Sequence, residues 1–210
     1  NTGNKRAGHQ MTPELGNRRI ATEPSYLTLQ DLRSADVLQS WEFLVIRVGV
    51  DVGPLHGPIT GVGRAVDGMV RQLRQQTSVD LTEYVVSFRA KLHENTRRLP
   101  FPAGLSIKSW GQRNFPPVDP FLKGIQLLHG MNYVVPPTKL PRVVTVYDCW
   151  ALLNPAQCSS ITNDAMKALR RAIQTGAVVH ASSHATATTL RELFPTVRIE
   201  MIYLGAPEHR

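Results

Sequence analysis

Residues 43–51 read Phe43-Leu-Val-Ile-Arg-Val-Gly-Val-Asp51, a nearly continuous apolar run. A strand that is covered on both faces has this pattern, which is typical of parallel sheets. A loop rich in glycine and proline follows at 52–63, and apolar side chains then recur at helical spacing from Val62 to Leu73. The order of strand, loop and helix predicts the first half of a βαβ unit.

The same alternation continues along the rest of the chain. Further strands are predicted at 81–88, 125–129, 142–147, 177–181 and 197–204, with a short one near Leu105. Helices are predicted at 164–174 and from Ser182 or Ser183 to 193, with a turn of helix near Trp110 and otherwise loop between the prolines of 100–120. The fold class is therefore α/β, with a doubly wound, mostly parallel, Rossmann-like sheet of six or seven strands over residues 43–205.

The two ends of the chain lack this alternation. Residues 1–42 carry scattered Gly, Pro and Asn with many charges and no sustained period, so we expect a poorly ordered or loosely docked extension. Residues 206–210 are expected to begin an interdomain linker.

The composition limits the classes of partner. There are 24 Lys and Arg against 16 Asp and Glu, a net charge of +8, which favours nucleotides, phosphorylated substrates or an anionic membrane surface. Nucleic acid is disfavoured, because the basic residues are dispersed and only 7% of residues are aromatic. Two cysteines without CxxC spacing indicate a reducing compartment. We expect a cytoplasmic protein, either free or peripheral at the inner face of the membrane.

The predicted topology directs attention to three loops. If the first and fourth strands are neighbours, the loops that leave their carboxyl ends diverge and open a crevice for a ligand. The residues to consider are then 51–64, 129–137 and 147–155.

The first loop is a candidate anion site. Gly61 and Gly63 let backbone amides approach a ligand at a helix start, with Arg64 adjacent. The dinucleotide fingerprint is incomplete, because Val66 stands where Gly or Ala is expected. A purely structural turn, with Thr60 capping the helix, remains the alternative.

The other two loops carry polar side chains that suit a polyol. His129, Asn132 and Tyr133 follow one buried strand, and Tyr147 and Asp148 end the next. The alternatives are a core histidine at 129, a packing aromatic at 133 and a turn-capping carboxylate at 148. No metal site is predicted.

In their order and spacing, these stretches resemble the amino-terminal domain of the GT-B glycosyltransferases of retaining family 4, also called group 1. The matching segments are Val48-Gly-Val-Asp51, Gly61-Val-Gly-Arg64, His129-Gly-Met-Asn-Tyr-Val-Val-Pro136, Thr145-Val-Tyr-Asp148 with Pro155, Val178-Val-His-Ala-Ser182, Phe194-Pro195 and Leu204-Gly205. The match spans about residues 45–205. At position 147 the family usually has His, and this chain has Tyr.

The resemblance implies an enzyme that moves a sugar from a nucleotide-diphosphate sugar to a hydroxyl of a sugar, glycan or glycolipid acceptor, with retention and without a metal or other cofactor. This chain resembles its acceptor-binding half, and the 210 residues hold no counterpart of the family's C-terminal donor domain, so we expect it to be inactive alone. The implied site residues are as follows: Asp148 and His129 as catalytic residues, and Gly61, Gly63, Arg64, Asn132, Tyr133 and Tyr147 as acceptor or donor contacts.

Two other classes stay open. A different nucleotide-binding Rossmann enzyme, such as a sugar-nucleotide epimerase or reductase, usually carries a Tyr-x-x-x-Lys pair, whereas Tyr147 is followed by Ala151. A non-catalytic domain that binds an anionic surface is the third class.

Overall fold

A computed structural model describes residues 45–88, 90 and 96–205. The strands in this part of the chain are β1 (Ile46–Asp51), β2 (Val79–Val86), β3 (Thr96–Leu99), β4 (Leu127–Gly130), β5 (Arg142–Val146), β6 (Val178–Ala181) and β7 (Ile199–Met201). The helices there are α1 (Gly61–Arg74), α2 (Ala103–Arg113), α3 (Trp150–Leu153), α4 (Ser160–Gln174) and α5 (His184–Leu193). The expected extension at 1–42 and linker at 206–210 lie outside the described residues. None of the described helices combines the length and apolar character that a membrane span requires.

The seven strands form one parallel sheet in the order β3-β2-β1-β4-β5-β6-β7. This confirms the predicted α/β class and the Rossmann-like, doubly wound sheet. The first and fourth strands are neighbours, with Val50 beside His129. Because the strand order reverses between them, the loops after β1 and β4 diverge at the carboxyl edge of the sheet.

The two faces of the sheet are covered by different helices. The larger apolar core includes Trp110 of α2, Leu169 of α4 and Leu190 of α5. The smaller core joins Val50 of β1 to Val66 of α1. Successive side chains of a strand point to opposite faces, so each strand contributes alternate residues to each side.

Hydroxyl side chains begin three of the helices. Thr60, Ser159 and Ser183 each accept a hydrogen bond from the backbone amide three residues later, at 3.1 Å. Such a cap satisfies an amide that would otherwise lack a partner in the helix. Ser183, one of the two predicted caps of α5, is therefore the one used. Gly176, which follows α4, has φ of 92°, as expected for a glycine that ends a helix.

The stretch between β2 and β4 differs from the prediction. The prediction of a short strand near Leu105 is wrong, because residues 103–113 form α2. The helical turn that was expected near Trp110 is part of this helix. Pro102 occupies the N-cap of α2, where a missing amide proton costs nothing. Strand β3 was not predicted, and its exposed central residues, Arg97 and Arg98, hide the strand pattern.

Candidate functional site

The candidate site lies at the carboxyl edge of the sheet, where β1, β4 and β5 end side by side. We call Asp51, Tyr133, Tyr147 and Asp148 the carboxyl rim. Asp51 is the last residue of β1, Tyr133 follows β4, and the other two follow β5. The sheet topology therefore collects residues that are far apart in the sequence.

Tyr133 and Asp148 form the exposed part of the rim. The Tyr133 hydroxyl donates to Asp148 Oδ2 at 2.9 Å, and the Asp148 amide donates to the same hydroxyl at 3.1 Å. Asp148 Oδ1 accepts from the Trp150 amide at 2.9 Å, so Asp148 also caps the following turn, as the alternative interpretation of this residue expects. The Asp148 side chain is exposed, and a carboxylate has further lone pairs for ligand hydroxyls.

A tight turn after β4 sets the position of Tyr133. Its φ of 57° is left-handed, which is uncommon for a residue with a side chain. The Tyr133 amide donates to Thr145 O at 3.0 Å. The chain folds back so closely that a Cβ added to Gly130 would lie 2.0 Å from Val134 O. Asn132, a predicted contact residue, pairs with Val134 through an isolated bridge inside this turn and is half-buried.

Tyr147 lies behind Tyr133. Its hydroxyl donates to Met131 O at 2.7 Å, and the two tyrosine rings meet edge to face with centroids 5.8 Å apart. Burial raises the pKa of each phenol well above its usual value, helped by Asp148 at Tyr133 and by Asp51 at Tyr147. Both phenols are therefore neutral donors at physiological pH.

Asp51 is a functional candidate that the loop sequences do not single out, because it reads as the end of a strand. Burial raises the pKa of its carboxyl group to about 6, although the Gly53 amide donates to Oδ1 at 2.8 Å and lowers it. Tyr84, its register neighbour on β2, is fully buried, and its hydroxyl has no partner in the described part of the chain. Perturbed carboxyl groups of this kind collect at functional sites. The sequence signal that could have identified Asp51 as a site residue was its position, because it ends β1, one of the two strands between which the strand order reverses.

His129 does not lie beside Asp148. It is in register with Val143, five residues before Asp148 on the next strand, and its Nε2 is 2.8 Å from Thr145 Oγ1. Burial lowers the pKa of the imidazole to about 4, with a further contribution from His180. The ring is half-buried and neutral at physiological pH, as the core-histidine alternative expects.

The glycine loop leads into α1. Thr60 accepts from the Gly63 amide, so the cap of the structural alternative is present. Gly63 is buried, and a Cβ there would lie 3.1 Å from Pro54 O. Gly61 and Arg64 are not buried, and a Cβ on Gly61 would meet nothing within 4 Å. Of the two glycines predicted to contact a ligand, Gly61 is therefore open and Gly63 is not.

Two further residues flank the rim after β5. Burial, with help from Asp148, raises the pKa of the Cys149 thiol to about 11, so it is not a thiolate at neutral pH. Trp150 is 52% exposed and places a large aromatic side chain two residues after Asp148.

No protein-family model matches this chain, and no curated protein matches it. The arrangement of side chains is therefore the basis for a functional assignment. The rim and the adjacent Trp150 combine an exposed carboxylate, a phenol bonded to it, a second, titratable carboxyl group and an exposed aromatic side chain. These groups can bind and orient a ligand that carries several hydroxyls.

Proposed function

We propose that this chain is the acceptor-binding half of a retaining glycosyltransferase, and that the carboxyl rim holds a sugar of the acceptor. The acceptor is a sugar, a glycan or the headgroup of a glycolipid. The observation that carries the proposal is the exposed Asp148 carboxylate held by Tyr133, beside the point where the strand order reverses between β1 and β4. Open α/β sheets bind their ligands at this point.

The chemistry of the rim suits a pyranose ring. Asp148 keeps lone pairs that accept hydrogen bonds from sugar hydroxyls. Trp150 and the Tyr133 ring supply aromatic surface for the apolar face of a sugar. A site of this type distinguishes sugars by the hydroxyls that reach the carboxylate, because a hydrogen bond to a charged group contributes about 1.5–3 kcal/mol.

The contribution to catalysis would be positioning. Sugar transfer passes through a state with oxocarbenium character, and a diphosphate is the leaving group. For retention, the acceptor half then has to hold one hydroxyl next to the donor carbon on the face from which the diphosphate leaves. This positioning removes much of the entropic cost of the reaction. A donor domain with a nucleotide pocket, joined to this chain or associated with it, is required by the proposal.

The first alternative, a dinucleotide-dependent Rossmann enzyme, has less support. Its phosphate loop needs glycine positions that are open to the ligand, whereas Gly63 is packed against Pro54. The non-catalytic class is not favoured by a specific observation at the rim.

A ligand-observed NMR experiment tests the proposal. Saturation-transfer difference spectra would be recorded for the 210-residue chain with a panel of hexoses and disaccharides, because weak binding at millimolar concentration is detectable in this way. We expect at least one sugar to receive saturation from the wild-type chain. We expect D148A to lose that signal.

The matched control is E192Q. Glu192 is an exposed carboxylate near the end of α5, at the opposite edge of the sheet from the rim. This variant should bind like the wild type. The proposal fails if no sugar receives saturation, or if D148A binds as well as E192Q while both remain folded by circular dichroism.

A further inference from the structure

A chain of three hydrogen bonds crosses β4, β5 and β6. His129 Nε2 is 2.8 Å from Thr145 Oγ1, and the same hydroxyl is 3.0 Å from His180 Nδ1. His180 Nε2 is 2.9 Å from the carbonyl oxygen of Ile202, just after β7. These hydrogen bonds therefore connect β4 with the segment that leaves the last strand.

These hydrogen bonds lie on the face of the sheet opposite the larger core, the same face on which α1 packs beside β1. Val144 and Val146 belong to the larger core on the other face, so Thr145, between them, points to the α1 side. Thr145 is 0% exposed. A parallel strand buried on both faces is normally apolar, and burying the Thr145 hydroxyl and the His180 imidazole without need for them is costly.

The direction of each hydrogen bond can be worked out from the last acceptor. A carbonyl oxygen only accepts, so His180 Nε2 carries the proton. In a neutral ring, His180 Nδ1 then accepts, and Thr145 must donate its one hydroxyl proton to it. The Thr145 oxygen is left to accept, which means that His129 Nε2 donates. In neutral His129, Nδ1 therefore carries no proton.

We propose that Thr145 and His180 are positioning residues that hold His129 in the Nε2–H tautomer, so that its Nδ1 accepts a hydrogen bond from a hydroxyl of the ligand. Nδ1 of His129 has no partner among the described residues, and the ring is half-buried. The ligand part of this inference rests on the proposed sugar site, whereas the tautomer does not. Burial also keeps the ring neutral at physiological pH.

The tautomer is measured by long-range ¹H–¹⁵N correlation on the uniformly ¹⁵N-labelled 210-residue chain at about pH 8, where neutral imidazoles predominate. The His129 signals are identified by their loss in H129Q. We expect the Nε2–H pattern in the wild type. The Nδ1–H pattern in the wild type would overturn the proposal.

Two variants at position 145 separate the hydroxyl from the shape of the side chain. T145S keeps the hydroxyl, and we expect the Nε2–H tautomer to remain. T145V keeps the volume and removes the hydroxyl, so we expect His129 to populate both tautomers. An unchanged, pure Nε2–H pattern in folded T145V contradicts a positioning role.

Position 180 provides a second pair in case T145V does not fold. A glutamine can accept from Thr145 and donate to Ile202 O, so H180Q should preserve the His129 tautomer. H180F can do neither, which frees the Thr145 proton to point at His129 and should shift it toward Nδ1–H. Identical His129 patterns in the two variants contradict the proposal.

Sugar binding then tests the ligand part. For the hexose that binds best, we expect H180F to weaken affinity about tenfold relative to H180Q, the equivalent of roughly 1.4 kcal/mol. Equal affinities overturn the role of Nδ1 while leaving the sugar site intact. If no hexose binds the wild type, the proposed function and the ligand of Nδ1 both fail, and the tautomer is still decided by the spectra.

Discussion

Tyr133 and Asp148 are joined by two hydrogen bonds, one from the phenol to the carboxylate at 2.9 Å and one from the Asp148 amide back to the phenol oxygen at 3.1 Å. This pair links the loop after β4 to the loop after β5. The hydroxyl therefore fixes the orientation of the exposed carboxylate before any ligand arrives. Such preorganisation reduces the entropy lost on binding.

Removing the Tyr133 hydroxyl should weaken sugar binding. In Y133F the Asp148 carboxylate loses a charge-assisted hydrogen bond, worth about 1.5–3 kcal/mol, and is no longer held in one orientation. We expect the dissociation constant of the best hexose to rise about tenfold, measured by titration NMR. The control is Y203F, because the exposed Tyr203 lies on the segment after β7. Equal affinities of Y133F and Y203F would show that the pair does not organise the site.

The turn after β4 requires glycine at position 130. In G130A the new methyl group would lie 2.0 Å from Val134 O, so the backbone that presents Tyr133 must move. We expect the free energy of unfolding to drop by several kcal/mol, about 3 or more, in urea titrations. In contrast, G68A in the middle of α1 meets nothing within 4 Å and should stabilise the chain by about 0.5–1 kcal/mol. A G130A protein as stable as the wild type contradicts the turn geometry.

Neutralising Asp51 should stabilise the fold at neutral pH. Its pKa is raised from 3.8 to about 6, so the folded state binds the proton more tightly than the unfolded state. The protonated Asp51 carboxyl group stabilises the fold fully below pH 3.8, and this stabilisation is lost as the pH rises through about 6. At about pH 7, the free energy of unfolding of D51N should exceed that of the wild type by roughly 3 kcal/mol. The gain should shrink toward zero near the unshifted pKa, and a constant difference at all pH values would contradict this origin.

His129 should produce the opposite dependence on pH. Its pKa is lowered from 6.5 to about 4, so its contribution to stability is present above pH 6.5 and is lost as pH falls toward 4. The D51N background removes the opposing effect of Asp51. There we expect the free energy of unfolding to fall by roughly 3 kcal/mol between about pH 7 and 4, and we expect D51N/H129Q to lose much less. Parallel curves for the two proteins would exclude His129 as the titrating group.

The sequence predicted the sheet better than the site. Continuous apolar runs such as that of β1 are a direct consequence of burial on both faces, so the residue types alone identify parallel strands. Strand β3 was not predicted, because Arg97 and Arg98 are exposed at the edge of the sheet and interrupt the apolar pattern. Most of helix α2 was not predicted, because a proline such as Pro102 suggests a break in a helix, although here it occupies the N-cap.

The site depends on distances that a linear pattern does not contain. The loop sequences indicated Tyr133 and Asp148, but their mutual hydrogen bonds follow from the left-handed turn at Tyr133. Asp51 stood at the end of a strand, and its raised pKa arises from burial. His129 was predicted to be catalytic together with Asp148, whereas the register places it beside Val143 and its hydrogen bond goes to Thr145.

The most direct test of the sugar site is a chemical-shift map. The backbone amide signals of the ¹⁵N-labelled chain would be followed during addition of the hexose that binds best. Our account predicts that the largest shifts fall on Tyr133, Asp148 and Trp150 at the carboxyl edge. Shifts concentrated at the opposite edge, around the cavity of about 470 Å³ lined by Arg74, Asp80 and Glu83, would contradict it.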